Sequence, residues 1–150
     1  MNVTREPRRY GECGLPNVVL LGIEVRRCPK CGEEELVIPR IEELHRVLAG
    51  ALLRKAGRLT GVEVRFLRKV LGWSGEDFAR NVGVARETVS RWENEHEQMS
   101  PLAERLLRLA VAHEKPIQDY RVADLGAVDE RGAAPAKITV KLVEKHWQAA

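Results

Sequence analysis

The stretch Gly75-Glu76-Asp77-Phe78-Ala79-Arg80-Asn81-Val82-Gly83-Val84-Ala85-Arg86-Glu87-Thr88-Val89-Ser90-Arg91-Trp92-Glu93-Asn94 decides the fold. Its restricted positions fit two short helices joined by a tight turn. Ala79 is the small residue where the helices touch, Gly83 takes the turn position that favours positive φ, and Val89 anchors the second helix to the first. Phe78, Val82, Val84 and Trp92 fill the remaining inward positions. A helical hairpin with an ordinary core has no reason to satisfy all of these at once.

That pattern is a helix-turn-helix, and the outward face of its second helix has the chemistry to read DNA. Arg86, Glu87 and Arg91 project from it. Arg pairs with guanine O6 and N7 in the major groove, and Glu accepts from cytosine N4. Ser90, Thr88, Ser74 and Arg80 are placed to hold phosphates, which fixes register without reading sequence.

Working outward, residues 62–71 read as a helix with Val62, Phe66, Leu67 and Val70 inward, Thr60 as its N-cap and Gly72 as its stop. Ser74 opens the next helix with a capping-box pattern in which Asp77 replaces the usual Glu or Gln. The second helix of the motif spans about 85–94. Ser100-Pro101 starts a further helix whose Leu102, Leu106, Leu109 and Ala110 form an apolar stripe. Upstream, Ile41, Leu44, Leu48, Ala51 and Leu52 mark an amphipathic helix over 41–55, preceded between residues 10 and 39 by two or three short strands. Alternation in Lys137-Ile138-Thr139-Val140-Lys141-Leu142 predicts a strand at about 137–142.

The expected class is α+β, mostly α. It has a small β-rich N-terminal module with a connecting helix (1–57), a helical bundle carrying the helix-turn-helix (58–115), and a C-terminal tail with one strand (116–150).

The chain has 150 residues, 44% hydrophobic and 31% charged, the composition of a soluble globular protein. A (β/α)₈ barrel, at about 250 residues, does not fit. No segment approaches the roughly 20 apolar residues that span a bilayer, and the opening MNVTREPRRY lacks a signal-peptide core, so a cytoplasmic protein without a membrane partner is expected. A net charge of only +3 means that an acidic partner must be met by clustered Arg, not by an overall field. No phosphate loop, nucleophile elbow or paired carboxylates in a catalytic setting occur, so no enzyme is expected. His45, His96, His113 and His146 are scattered and expected to be solvated or locally hydrogen-bonded.

Cys13, Cys28 and Cys31 are the only cysteines. An odd number in a chain read as cytoplasmic argues against a disulfide framework and for metal binding or plain thiols.

The run Gly72-Trp73-Ser74-Gly75-Glu76-Asp77-Phe78-Ala79, with Val84-Ala85-Arg86-Glu87-Thr88-Val89-Ser90-Arg91-Trp92-Glu93, resembles the Cro and phage-repressor (Xre-like) class of DNA-binding domains. Gly75 stands where a Gln often touches DNA, and Glu95 where a Gly commonly ends the recognition helix. Tyr10-Gly11-Glu12-Cys13-Gly14-Leu15, Cys28-Pro29-Lys30-Cys31-Gly32, Leu44-His45 and Gly61-Val62-Glu63-Val64-Arg65-Phe66-Leu67-Arg68-Lys69 extend the likeness to the YgiT-type zinc-finger, MqsA-like antitoxin family. That resemblance implies a zinc-binding N-terminal module, a C-terminal Xre-like domain, and repression as a dimer on double-stranded DNA. It also implies the alternative of a type II antitoxin that neutralises a cognate toxin through the N-terminal module and autoregulates its operon.

Tyr10 occupies the place of the family's first Cys, leaving Cys13, Cys28 and Cys31 as three sulfurs for zinc, with Glu12, His45 or water as candidate fourth ligand. A zinc-free module held together by Val18, Leu20, Ile23, Val25 and Leu36 stands beside that reading.

Overall fold

The computed structural model describes residues 1–114, 128 and 132–150. They form two compact units: residues 1–48 with 137–150, and residues 49–136. The expected boundary at 57/58 differs from this division, and that at 115/116 lies outside the described residues.

The first unit holds two sheets. Strands β1 (Asn2–Arg5), β4 (Glu24–Arg27) and β5 (Glu34–Val37) make an antiparallel sheet in the order β1-β4-β5. Strands β2 (Arg8–Arg9), β3 (Val18–Leu21), β6 (Ile138–Val143) and β7 (His146–Ala149) make the second, in the order β2-β3-β6-β7. The strand expected near 137–142 is thus β6. It is no separate tail: it pairs in parallel with β3, Val18 opposite Ile138 and Leu20 opposite Val140. All four side chains are buried. Strand β7 follows through a tight turn at Glu144 and Lys145, both at positive φ, as a two-residue hairpin of matching twist requires. Trp147 locks the hairpin in place. Its Nε1 donates to Pro39 O at 2.8 Å and its backbone N–H to Glu43 Oε1 at 2.7 Å.

Helix α1 (Ile41–Leu53) crosses the division between the units and ends two residues short of the expected 55. Leu44, Leu48 and Leu52 are fully buried along it, while Ile41 is exposed.

The second unit contains α2 (Gly61–Val70), α3 (Gly75–Val82), α4 (Arg86–Glu93) and α5 (Pro101–Glu114). Thr60 caps α2 in a full capping box with Glu63. The inward face of α2 differs from the expected one: Val62 and Val70 are only half-buried, and Glu63 and Val64 are buried instead. Glu63 is stable there because all its charge is met. Oε1 accepts from Thr60 N at 2.8 Å and Lys55 Nζ at 2.7 Å, and Oε2 from Ala136 N at 2.9 Å.

A second buried polar cluster fastens the segment before α2 to α5. Glu104 Oε1 accepts from Arg58 Nε at 2.9 Å and from Leu59 N at 3.1 Å. Arg108, fully buried, donates to the carbonyls of Leu53, Lys55 and Gly57 and to Glu104 Oε2. These carbonyls lie at and beyond the C-terminal end of α1, where no further helical turn supplies donors. Among the described residues, no helix is long and apolar enough to cross a membrane.

Candidate nucleic-acid interface

The geometry of α3 and α4 follows from local chemistry. Ser74 Oγ accepts from Asp77 N at 3.0 Å, and Asp77 Oδ2 accepts from Ser74 N at 2.9 Å, so Asp completes the capping box as Glu would. The Ser74 backbone N–H, then its hydroxyl and the Arg80 guanidinium, hold the Asp77 carboxyl below the usual carboxylate range. Helix α3 ends at Gly83 with φ 80°, a left-handed conformation that carries no Cβ penalty in glycine.

Packing then fixes the rotation of α4. Phe78, Ala79, Val89 and Trp92 are buried, with the Phe78 and Trp92 rings 5.9 Å apart and the Trp73 ring tilted against Phe78 at 6.0 Å. Val82 and Val84 are half-buried. With Val89 and Trp92 inward, Arg86, Glu87, Ser90, Arg91 and Asn94 come to the outside, all exposed. Thr88 is half-buried at the edge of that face.

Several outward groups are held before any ligand arrives. Arg86 Nη1 lies 3.2 Å from Glu76 Oε1, and Arg80 Nη2 lies 2.7 Å from Asp77 Oδ1. Asn94 Nδ2 donates to Ser90 O at 2.8 Å and to Ser90 Oγ at 3.3 Å, leaving the Ser90 hydroxyl proton free to donate. The Ser74 hydroxyl, by contrast, is engaged with Asp77, whose backbone N–H it accepts. Ala85, at the N-cap of α4, offers no side-chain cap to the first-turn amides, of which Thr88 N donates to Ala85 O at 3.0 Å. Arg80, Arg86 and Arg91 are offset by Glu76, Asp77 and Glu87, so this face attracts through placed donors more than through net charge.

Ser74 is thus the N-cap of α3 and Arg80 lies on that helix, while Arg86, Glu87, Ser90 and Arg91 are exposed on α4 with Thr88 half-buried beside them. Two residues on this surface escaped the sequence reading. Asn94 was within reach of it, being four residues after Ser90 on the same helical face. Glu76 was not, because it meets Arg86 across a turn whose geometry no periodicity reports.

The thiols are arranged differently. Cys28 and Cys31 share one turn, in which Gly32 N donates to Cys28 O at 2.9 Å. Backbone N–H groups of Cys31 and Lys30 lower the Cys28 pKa. Cys13 is half-buried in another turn, its Sγ donating to Tyr10 O at 3.8 Å, and burial raises its pKa. Tyr10 is itself buried, with its hydroxyl 3.3 Å from His45 Nε2 and the two rings stacked. Tyr10, which stands where the zinc-finger resemblance implies a first Cys, thus engages His45, one of the candidate fourth ligands. Among the described residues, no three His, Cys, Asp or Glu side chains gather as a group that could hold a metal ion.

A helix-turn-helix family profile matches residues 64–120. No curated protein and no solved structure matches the chain. Residues 64–120 are an Xre-like helix-turn-helix domain, of the DNA-binding kind found in transcription regulators.

Proposed function

We propose that the protein is a sequence-specific transcriptional repressor that lays α4 in the major groove of double-stranded DNA as one half of a homodimer. One observation carries this reading: burial of Val89 and Trp92 turns Arg86, Glu87, Ser90 and Arg91 outward together on one short helix. Arg86 and Arg91 supply two-point contacts to guanine, Glu87 an acceptor for cytosine N4, and Ser74, Arg80, Thr88 and Ser90 phosphate contacts that fix register.

Dimerisation follows from the small number of base pairs one such helix reads. Helix α5 offers the surface. It buries Ala103, Leu107 and Val111 and leaves Leu102, Leu106 and Leu109 exposed on the other side, with Leu102 at 78%. Their four- and three-residue spacing is that of a seam between two helices. Selection of binding sites from random DNA by the purified protein tests the reading: enriched sequences with two related half-sites support it, and no enrichment overturns it.

A second reading, an antitoxin that binds a toxin through residues 1–48 and 137–150, has in its favour that this segment is a compact unit distinct from the helix-turn-helix. A co-transcribed neighbouring protein that is toxic alone and harmless with this chain would support it. Zinc enters either reading only as a ligand of Cys13, Cys28 and Cys31.

A further inference from the structure

The recognition helix carries two outward arginines in different circumstances. Arg86 is held by Glu76, whereas Arg91 joins no ion pair among the described residues. The Arg86–Glu76 pair is open to solvent, with 69% of each side chain exposed, so it contributes little to stability. Its consequence lies in where it puts the guanidinium.

Resting on the major-groove reading above, we infer that Glu76 is a positioning residue that sets the base discrimination delivered by Arg86. The guanidinium is a planar fork of five N–H donors. Glu76 occupies Nη1, which leaves the edge formed by Nη2 and Nε for a two-point contact with guanine O6 and N7. An arginine without such a hold must freeze its rotamers on binding, and it swings as readily to a phosphate as to a base. Glu76 suppresses both losses. Its carboxylate keeps Arg86 off the backbone, and its own charge is unfavourable near phosphates, so badly placed complexes are penalised more than the correct one.

Removing Glu76 therefore has two effects of opposite sign: general DNA affinity rises and discrimination at one base pair falls. A merely structural residue would lower both when removed.

The test uses the full-length protein at one fixed salt concentration. Arg86→Ala first maps the base pair that Arg86 reads. Glu76→Ala should then lose roughly two- to tenfold in discrimination at that pair, the cost of ordering a free side chain, with other positions unchanged. It should also bind unrelated DNA more tightly than the wild type. Glu76→Gln keeps an oxygen that accepts from Arg86 but loses the charge, so it should bind unrelated DNA more tightly while keeping most of the discrimination. Wild-type discrimination in Glu76→Ala, or a loss spread evenly over all positions, overturns the inference and leaves the major-groove reading standing. A wild type with no sequence preference at all overturns both.

Discussion

Arg68 of α2 and Glu93 in the last turn of α4 face each other with Nε 2.6 Å from Oε1, and their side chains are only 14% and 8% exposed. Arg68 Nη1 also donates to Trp73 O at 2.9 Å. One guanidinium thus ties α2 both to the turn that opens α3 and to the end of the recognition helix. Gly61, at the start of α2, comes so close to the Glu93 carbonyl that a Cβ there would collide with it.

Glu93→Ala should destabilise the helix-turn-helix unit by about 3–5 kcal/mol, because it strands the Arg68 charge away from water. Replacing both partners with apolar residues of similar volume should cost less. Urea denaturation of the two variants checks the order; a loss in Glu93→Ala below about 1 kcal/mol would mean that solvent reaches Arg68.

Arg91→Ala should weaken binding to the selected DNA by about 1–3 kcal/mol and relax the preference at one base pair. The fold should be unaffected, since Arg91 is exposed. An unchanged preference in a selection with the variant would remove Arg91 from the base-reading set.

Leu106→Glu places a carboxylate in the middle of the exposed α5 stripe without touching the buried Leu107 side. Light scattering should show a monomer, and affinity for paired half-sites should drop while binding to a single half-site persists. A dimer of unchanged mass would move the interface elsewhere, with the edge strand β7 as the next place to look.

Burial holds the His45 pKa below its ordinary value. The folded chain therefore resists protonation of His45 that the unfolded chain accepts. The stability it contributes is complete above the unfolded pKa of about 6.5 and is lost as pH falls from there to the lower folded value. Melting of the wild type should decline over that window, and His45→Gln should flatten the decline. Equal slopes in the two proteins would remove His45 from the account.

Tyr10→Cys supplies the first Cys that the resemblance to YgiT-type zinc fingers implies, at the expense of a buried ring. In metal-free buffer it should destabilise the N-terminal unit by about 2–4 kcal/mol through the cavity it leaves. Zinc should recover that loss in the variant if the turn brings position 10 to the other thiols. In the wild type, a chelator should leave DNA binding unchanged, because the core of the helix-turn-helix lies within residues 49–136. Loss of DNA binding on chelation would contradict this, and one tightly held zinc per wild-type chain, measured before and after chelation, would show that a further ligand completes the site.

The sequence alone determined the helix-turn-helix. Ala79, Gly83, Val89 and the Ser74–Asp77 cap are local: each acts within one or two helical turns, so spacing reports it directly. The rotation of α4, and with it the outward set Arg86, Glu87, Ser90 and Arg91, follows from the same spacing. Tertiary structure decided what depends on a distant partner. Val18–Leu21 pairs with a strand some 120 residues later, and nothing in either segment names the other. Glu63, Glu104 and Arg108 read as surface residues by type, yet they are buried because Lys55, Arg58 and the carbonyls of Leu53, Lys55 and Gly57 meet their charges. Tyr10 reads as a missing ligand in sequence and is a packed core residue against His45 in space. A hydrogen bond or a strand pair joins residues by position in three dimensions, and only the folded chain assigns those positions.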